Sequence, residues 1–246
     1  MFGKLPFSLG NLRHLIYLDL SSNEFNDQIP SSFANLTQLA VLRLHENQLS
    51  GPIPSCLGNL GKLTVLELDF NKFQGEIPES LLNVASLNKL LLAYNTLSGT
   101  VEFLKLLKLL PNLKWVDLSG SNLDVITETR TMNASSIPRL EMLGLGSCNI
   151  RQFPNFLRYQ DTLKFLNLSW NGIHGQVPKW MWYTSKESLA FLDISHNILS
   201  GFDQPPAILP WVQLDGLDLS CSTCSMGHCW YLRYNPWNSI TFHTKN

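Results

Sequence analysis

The thiols and imidazoles of this 246-residue chain come closest together near the C-terminus, in the run Cys221, Cys224, His228 and Cys229. A Cys-x-x-Cys spacing suits zinc, yet adjacent His228 and Cys229 cannot easily reach one tetrahedral ion. No metal is expected there; a disulfide within the run is the alternative, and unpaired coil asks least of the sequence. His14, His45, His174 and His196 are scattered, and no nucleophile, base and orienting group share a readable spacing. With no phosphate-cradling glycine loop or metal-ligand helix either, neither catalysis nor a cofactor is expected. A different chemistry recurs at a fixed step. Arg43, His45 and Glu46, then Glu67, Asp69 and Phe70, then Lys89, Leu91 and Tyr94 set mixed charges and rings at equivalent points of successive segments. Tyr and Arg are favoured where a surface grips a partner. These side chains are therefore the expected ligand-binding set, for a peptide or a protein.

What positions them is a repeat. Leu15-x-x-Leu18-x-Leu20-x-x-Asn23-x-Phe25 is followed by Ile29-Pro30, Phe33 and Leu36. The register returns at Leu39, Leu63, Leu87, Leu113, Leu140, Leu163, Leu189 and Leu214, at steps of 23 to 27 residues. This is a leucine-rich repeat, which specifies a parallel-stranded solenoid. The expected fold is α/β: a curved right-handed coil with a concave parallel β-sheet and a convex side of short 3-10 or helical turns. Leu63, Leu66 and Leu68 point inward, Leu81 and Val84 close the far side, and each buried Leu contributes roughly 1.5–3 kcal/mol. Asn23, Asn47, Asn71, Asn95, Asn171 and Asn197 stand where the chain leaves the strand, and there an inward amide bonds backbone of adjacent coils. Ser121 and Cys148 replace it in two copies, each expected to donate one weaker bond. Gly51, Gly75, Gly99, Gly175 and Gly201 mark a tight bend or a close approach. Ile53-Pro54 and its equivalents fix an extended stretch on the convex side and indicate the plant-type repeat. A leucine-rich run, 101–110, reads as a helical turn with its leucines in the core.

Strand residues between the leucines face the concave side. Glu46, Phe70 and Tyr94 then share one column, and Arg43 lies beside Glu67 in another, with strands about 4.8 Å apart. A second candidate column is Trp115, Met142, Phe165 and Phe191, half-buried between strands. Net charge is −1, the pI is near 6.6 and charged residues make up 15%, so no basic stripe supports nucleic-acid binding. No apolar run of membrane-spanning length is present. Residues 1–14 read as the back half of a repeat, 15–220 as about nine repeats, and 221–246 as a disordered tail without the pattern. The pattern starts in mid-coil and stops at Ser220, which leads one to expect a truncated start. Back-translated and read one base earlier, the stretch from Cys221 can be decoded as Phe-Asn-Met-Leu-Asn-Gly-Ser-Leu, the missing repeat, so a frameshifted tail is expected. Cys56 falls where other copies have Ser32 and Ser80 and reads as a bystander.

Three segments go beyond the generic repeat: residues 147–158, centred on Phe153-Pro154; Pro178-Lys179-Trp180-Met181-Trp182; and Gly201-Phe202-Asp203-Gln204-Pro205-Pro206 with Leu209-Pro210-Trp211. Together they resemble the late ectodomain repeats of plant receptor-like proteins of the tomato leaf-mould resistance type. The resemblance implies a cell-surface receptor at the plasma membrane, its repeat domain on the extracellular side. Such receptors have one membrane span and no kinase domain, sense pathogen or developmental ligands, and signal through a receptor-kinase co-receptor. This chain carries no signal peptide, cysteine cap, final repeats, membrane helix or cytoplasmic tail, and so reads as an ectodomain fragment. Sequons at Asn35, Asn133 and Asn167 agree with a secretory origin. Asn133 lies in the longest spacer and is the best acceptor, whereas a glycan on Asn167 would obstruct the strand face. The alternatives are a secreted inhibitor of a pathogen wall hydrolase, like the polygalacturonase inhibitors, or a non-functional receptor remnant. The Gly-Phe-Asp-Gln-Pro-Pro segment favours the receptor.

Overall fold

A short strand with one inward leucine cannot bury that side chain alone, so the strands stack. The computed structural model describes residues 1–128, 137–203 and 209–220, and the backbone of 229–232 and 242–245. Nine strands form one parallel sheet in strict chain order. They are Tyr17–Asp19, Val41–Arg43, Val65–Glu67, Lys89–Leu91, Trp115–Asp117, Met142–Gly144, Phe165–Asn167, Phe191–Asp193 and Gly216–Asp218. Each defines one coil, counted first to ninth. The register is unbroken: Leu42 faces Leu66, Leu66 faces Leu90, and Val116 faces Leu143. Beneath it Leu39, Leu63, Leu87, Leu113, Leu140, Leu163 and Leu189 are fully buried.

On the convex side the chain enters 3-10 helices at Ser31–Asn35, Ser55–Asn59, Glu79–Asn83, Asn155–Tyr159 and Lys179–Tyr183. Each follows a proline held extended, with ψ of 137° at Pro30, 128° at Pro54 and 145° at Pro178. The ring fixes φ and has no N–H to leave unpaired, which suits the residue before a helical turn. The leucine-rich run becomes the helix Phe103–Leu109, burying Phe103, Leu104, Leu106 and Leu107.

A second parallel sheet was not legible in the repeat. Phe2–Lys4, Glu24–Asp27, Gln48–Gly51, Lys72–Gly75, Thr96–Glu102 and Asn122–Ile126 form six strands in chain order. The repeat glycines lie within or at the ends of these strands at left-handed φ, +76° at Gly51 and +96° at Gly99. A Cβ on Gly51 would stand 2.7 Å from Gln28 Cγ, and one on Gly99 2.8 Å from Glu76 Cγ. Among the described residues this sheet lapses in the sixth coil, whose segment from Cys148 to Pro154 has no such glycine and forms no strand. Pairing resumes between His174–Val177 and Ile198–Phe202. In the tail, Cys229–Leu232 pairs antiparallel with Phe242–Lys245; Cys221, Cys224 and His228 lie outside the described residues. The Cys56 thiol donates to the Ser31 carbonyl at 3.7 Å.

The asparagines form a ladder through the wall. The Asn71 amide donates to Leu44, Leu68 and Asp69 carbonyls at 2.9, 3.1 and 3.2 Å and accepts from the Leu49 N–H at 2.9 Å. Asn47, Asn95 and Asn197 repeat this geometry. Of the two substitutes, Cys148 donates to the Leu118 and Gly146 carbonyls at 3.6 and 3.5 Å, and burial pushes its thiol pKa up to about 12. Ser121 departs from expectation. Its buried hydroxyl has no partner among the described residues, because Oγ is too short to reach the carbonyls that the longer amide spans. Asn71→Ala should therefore destabilise the protein by about 3 kcal/mol in urea unfolding, as several buried backbone groups lose their partner. Ser121→Ala should be neutral, or stabilising by up to about 1 kcal/mol, because it removes a polar atom that is already unpaired.

Candidate functional site

Most coils cap themselves on the concave face. The Ser21 N–H donates to Asp19 Oδ1 at 3.1 Å, and the same bond recurs at Ser119 to Asp117, Ser169 to Asn167, Ser195 to Asp193 and Ser220 to Asp218, at 2.8–2.9 Å. An Asx side chain bonded two residues on is a local turn device, so these polar residues already have a structural task. The sixth coil replaces the pair with Gly144 and Gly146, and the second, third and fourth coils give it up for other side chains. These three carry Arg43 and His45, Glu67 and Asp69, and Leu91 and Ala93 at those two positions. What they hold instead is available for something else.

Glu67 anchors that departure. Its carboxylate is buried, with Arg43 Nε at 3.1 Å, His45 Nδ1 at 3.3 Å and Lys89 Nζ at 3.2 Å. The Arg43 and His45 approaches are close contacts without aligned hydrogen bonds. A buried carboxylate must be compensated, or it costs several kcal/mol. Three partners do so while remaining partly exposed, and Glu67 thereby fixes how they present their outward edges. Arg43 also donates to the Tyr17 hydroxyl at 2.8 Å, which donates to Asp19 at 2.9 Å. Hydrogen bonds from Ser21, with help from Tyr17 and Arg43, hold the Asp19 carboxyl down at about 2. Lys89 Nζ sits 4.2 Å from the centroid of Trp115.

A second feature runs beside this cluster. Ser22, Glu46, Phe70, Tyr94, Gly120, Ser147, Trp170 and His196 occupy equivalent turn positions, all with φ between 52° and 67°. A left-handed conformation costs a side-chain-bearing residue about 1–2 kcal/mol relative to glycine. Bulky rings are unusual there, and the stability given up for them points to use. Phe70 and Tyr94 stack at 4.6 Å with an interplanar angle of 17°, each about half exposed, and Tyr94 lies against Gly120. Glu46 stands apart from Glu67, accepting from the Ser22 hydroxyl at 2.7 Å. Asp69 faces His45 and Glu67, and its buried Oδ1 has no partner among the described residues. Burial raises its carboxyl to about 6 and raises that of Asp117 as well.

The structure thus brings Arg43, His45, Glu67 and Lys89 together, stacks Phe70 on Tyr94, and leaves Glu46 and Asp69 at the margins. Sequence reasoning left Tyr17 out of the set and gave Trp115 to a separate column. Both join through strand register, since Tyr17 pairs beside Val41 and Trp115 beside Lys89. The missing Asp-x-Ser in these coils was a signal that could have marked the site. Trp115, Met142, Phe165 and Phe191 form a continuous column, with Phe165 stacked on Phe191 at 4.8 Å. Asn35 is exposed at the end of its 3-10 helix, Asn167 Oδ1 accepts from the Ser169 hydroxyl at 2.7 Å, and Asn133 lies outside the described residues. No group of His, Cys, Asp and Glu among the described residues has metal-binding geometry. No helix among them is long and apolar enough to cross a membrane.

The profile of one protein family, described as a leucine-rich repeat region, matches residues 2–203. Receptor-like protein 47 of Arabidopsis thaliana is 41% identical over 107 residues, which is 43% of this chain and 12% of that protein. Receptor-like protein 7 of the same plant is 47% identical over 81 residues, 33% of this chain and 8% of that protein. The chain thus spans about a tenth of the length of these relatives. Among solved structures, the Arabidopsis receptor kinase HAESA in complex with the peptide hormone IDA and the co-receptor SERK1 aligns with a TM-score of 0.70 and 27% identity, over 93% of this chain and 37% of that one. The ectodomain of the Arabidopsis receptor kinase GASSHO1/SCHENGEN3, in complex with CASPARIAN STRIP INTEGRITY FACTOR 2, aligns at 0.57 and 30%, over 90% and 23%.

Tyr94→Asn tests the strain reading. Relief of about 1–2 kcal/mol offsets a lost ring stack of about 0.5–1.5 kcal/mol, so urea unfolding should move by no more than about 1 kcal/mol. A larger loss would make the ring a packing element. Asp69 gives a pH signature. Its folded pKa, about 6, lies above the ordinary 3.8, so between those values the folded chain holds more protons than the unfolded one. Stability must then fall as pH rises across that window. Asp69→Asn should flatten the melting temperature there, relative to wild type, and raise it at pH 7.

Proposed function

Because the chain belongs to the leucine-rich-repeat family, in its plant receptor-like branch, we propose that it is an extracellular ligand-recognition domain. It binds a peptide or protein on the concave face of its second to fourth coils. In the intact receptor it stands on the outer side of the plasma membrane and reports through a partner receptor kinase, in defence or developmental signalling. The observation that carries the reading is the exposed Phe70–Tyr94 stack beside the Glu67 cluster, in coils that have surrendered the self-capping Asp-x-Ser. Rings and an arginine at the centre of a patch are the groups that dominate protein–protein binding energy. The partly neutralised cluster lowers the cost of covering charge. Solved relatives that hold a peptide hormone and a co-receptor agree with this kind of use.

The test uses a phage-displayed library of random dodecapeptides panned on the secreted chain. Peptides that bind wild type should lose at least about tenfold in affinity, about 1.4 kcal/mol, with Phe70→Ala/Tyr94→Ala or with Arg43→Ala. Binders indifferent to all these changes, or a panning that enriches none, would overturn the assignment.

A further inference from the structure

Two of the three segments that depart from the generic repeat lie about 25 residues apart yet meet at one place, outside the concave face. Where the second sheet lapses, the sixth and seventh coils leave an open notch of about 270 Å³. The segment after Cys148 supplies Gln152, Phe153 and Asn155 to its wall, and the segment after Val177 supplies Pro178 and Trp180. His174 and Gln176, from the strand that restarts the sheet, complete it.

The chemistry of this wall is distinctive. The side-chain amides of Gln152, Asn155 and Gln176 make no hydrogen bond to any other described residue, whereas the ladder asparagines and Gln160 all have theirs in use. Three exposed planar groups, each with donors and an acceptor, therefore meet water rather than protein around one indole. Trp180 is half-buried and held in place. Phe153 meets it edge-on at 6.4 Å and 90°, and the Arg158 guanidinium lies 5.0 Å from its centroid. His174 adds an imidazole whose Nδ1 is 3.4 Å from the Gly172 carbonyl. No Asp, Glu, Lys or Arg lines the notch.

We propose that this notch is a binding site for a neutral saccharide. A sugar ring has an apolar face of C–H groups and a polar rim of hydroxyls. The first matches a fixed indole, and the second matches amides that can both donate and accept. An anionic ligand would find no cation in the lining itself, since Arg158 lies outside it against the Trp180 ring, and a hydrophobic one would strip water from three amides without replacing their bonds. The small, open shape takes one segment of a longer chain rather than enclosing a whole ligand. The proposal does not depend on the proposed peptide patch, which lies on the second to fourth coils.

The saccharide can come from a cell-wall polymer or from a glycan on another protein, and the experiment separates them. Saturation-transfer NMR on the intact chain uses a β-1,4-linked glucose hexamer, a mannose-rich N-glycan and a galacturonic-acid hexamer. One of the two neutral probes should bind, naming its source, and the acidic one should not. Trp180→Ala should weaken that binding on the order of tenfold, and Trp180→Phe should largely restore it. Because Trp180 also packs on Phe153, the exposed pair Gln152→Ala/Gln176→Ala serves as the second variant, with an equal loss and an unchanged melting temperature. Phe70→Ala/Tyr94→Ala should leave saccharide binding intact even if peptide binding is lost. Silence from both neutral probes, preference for the acidic one, or binding that survives both notch variants would overturn the proposal.

Discussion

A turn that leaves a concave strand buries carbonyls that water cannot reach, and in the first to fourth, seventh and eighth coils one asparagine answers most of them. The rest of the architecture follows from that bond set. An amide that donates within its own coil and to the coil before, while accepting from the backbone of that earlier coil, ties neighbours at a fixed spacing. Leucines supply most of the free energy of burial, but they are forgiving of small slips. The amides are not, because a displaced one leaves several backbone groups unpaired at once. The strict register from Leu42 to Leu217 is the visible result.

With the interior so constrained, variation is confined to the outward positions, and even there the default is not idle. Asp19, Asp117, Asp193 and Asp218 each close a turn for a serine two residues on. A coil that replaces this pair gives up a local bond and gains a free position. The second to fourth coils make that exchange together and fill the places with groups that need one another, above all Glu67 and the cations around it. Recognition chemistry is thus concentrated where the backbone has been released from looking after itself.

Much of this was legible in the sequence. Leucine spacing carries the solenoid, and the position of Asn71 carries its bond set, since both depend on local periodicity. The second sheet was hidden, because a glycine such as Gly51 reads correctly as a tight backbone position while saying nothing of the parallel partner that stacking brings beside it. Arg43 beside Glu67 could be read from register alone. So could the seat of Lys89 on Trp115, its register partner, whereas the bond from Arg43 to the Tyr17 hydroxyl could not, because a long side chain reaches across columns by rotamer. Ser121 shows the converse: its type promised a bond, and its length withholds it.

The lapse of the second sheet in the sixth coil coincides with the thinnest part of the amide ladder, where Ser121 and Cys148 stand in successive coils. In a linear array each unit is coupled only to its neighbours, so the weakest junction decides where cooperative opening divides the molecule. Both the second sheet and the amide ladder are thinnest at this one junction of the arc, with the charged and aromatic face on one side and the late aromatic coils on the other, while the concave sheet crosses it unbroken. An occupant of the notch would touch the sixth and seventh coils together, adding a cross-link on the side where the strand pairing is missing.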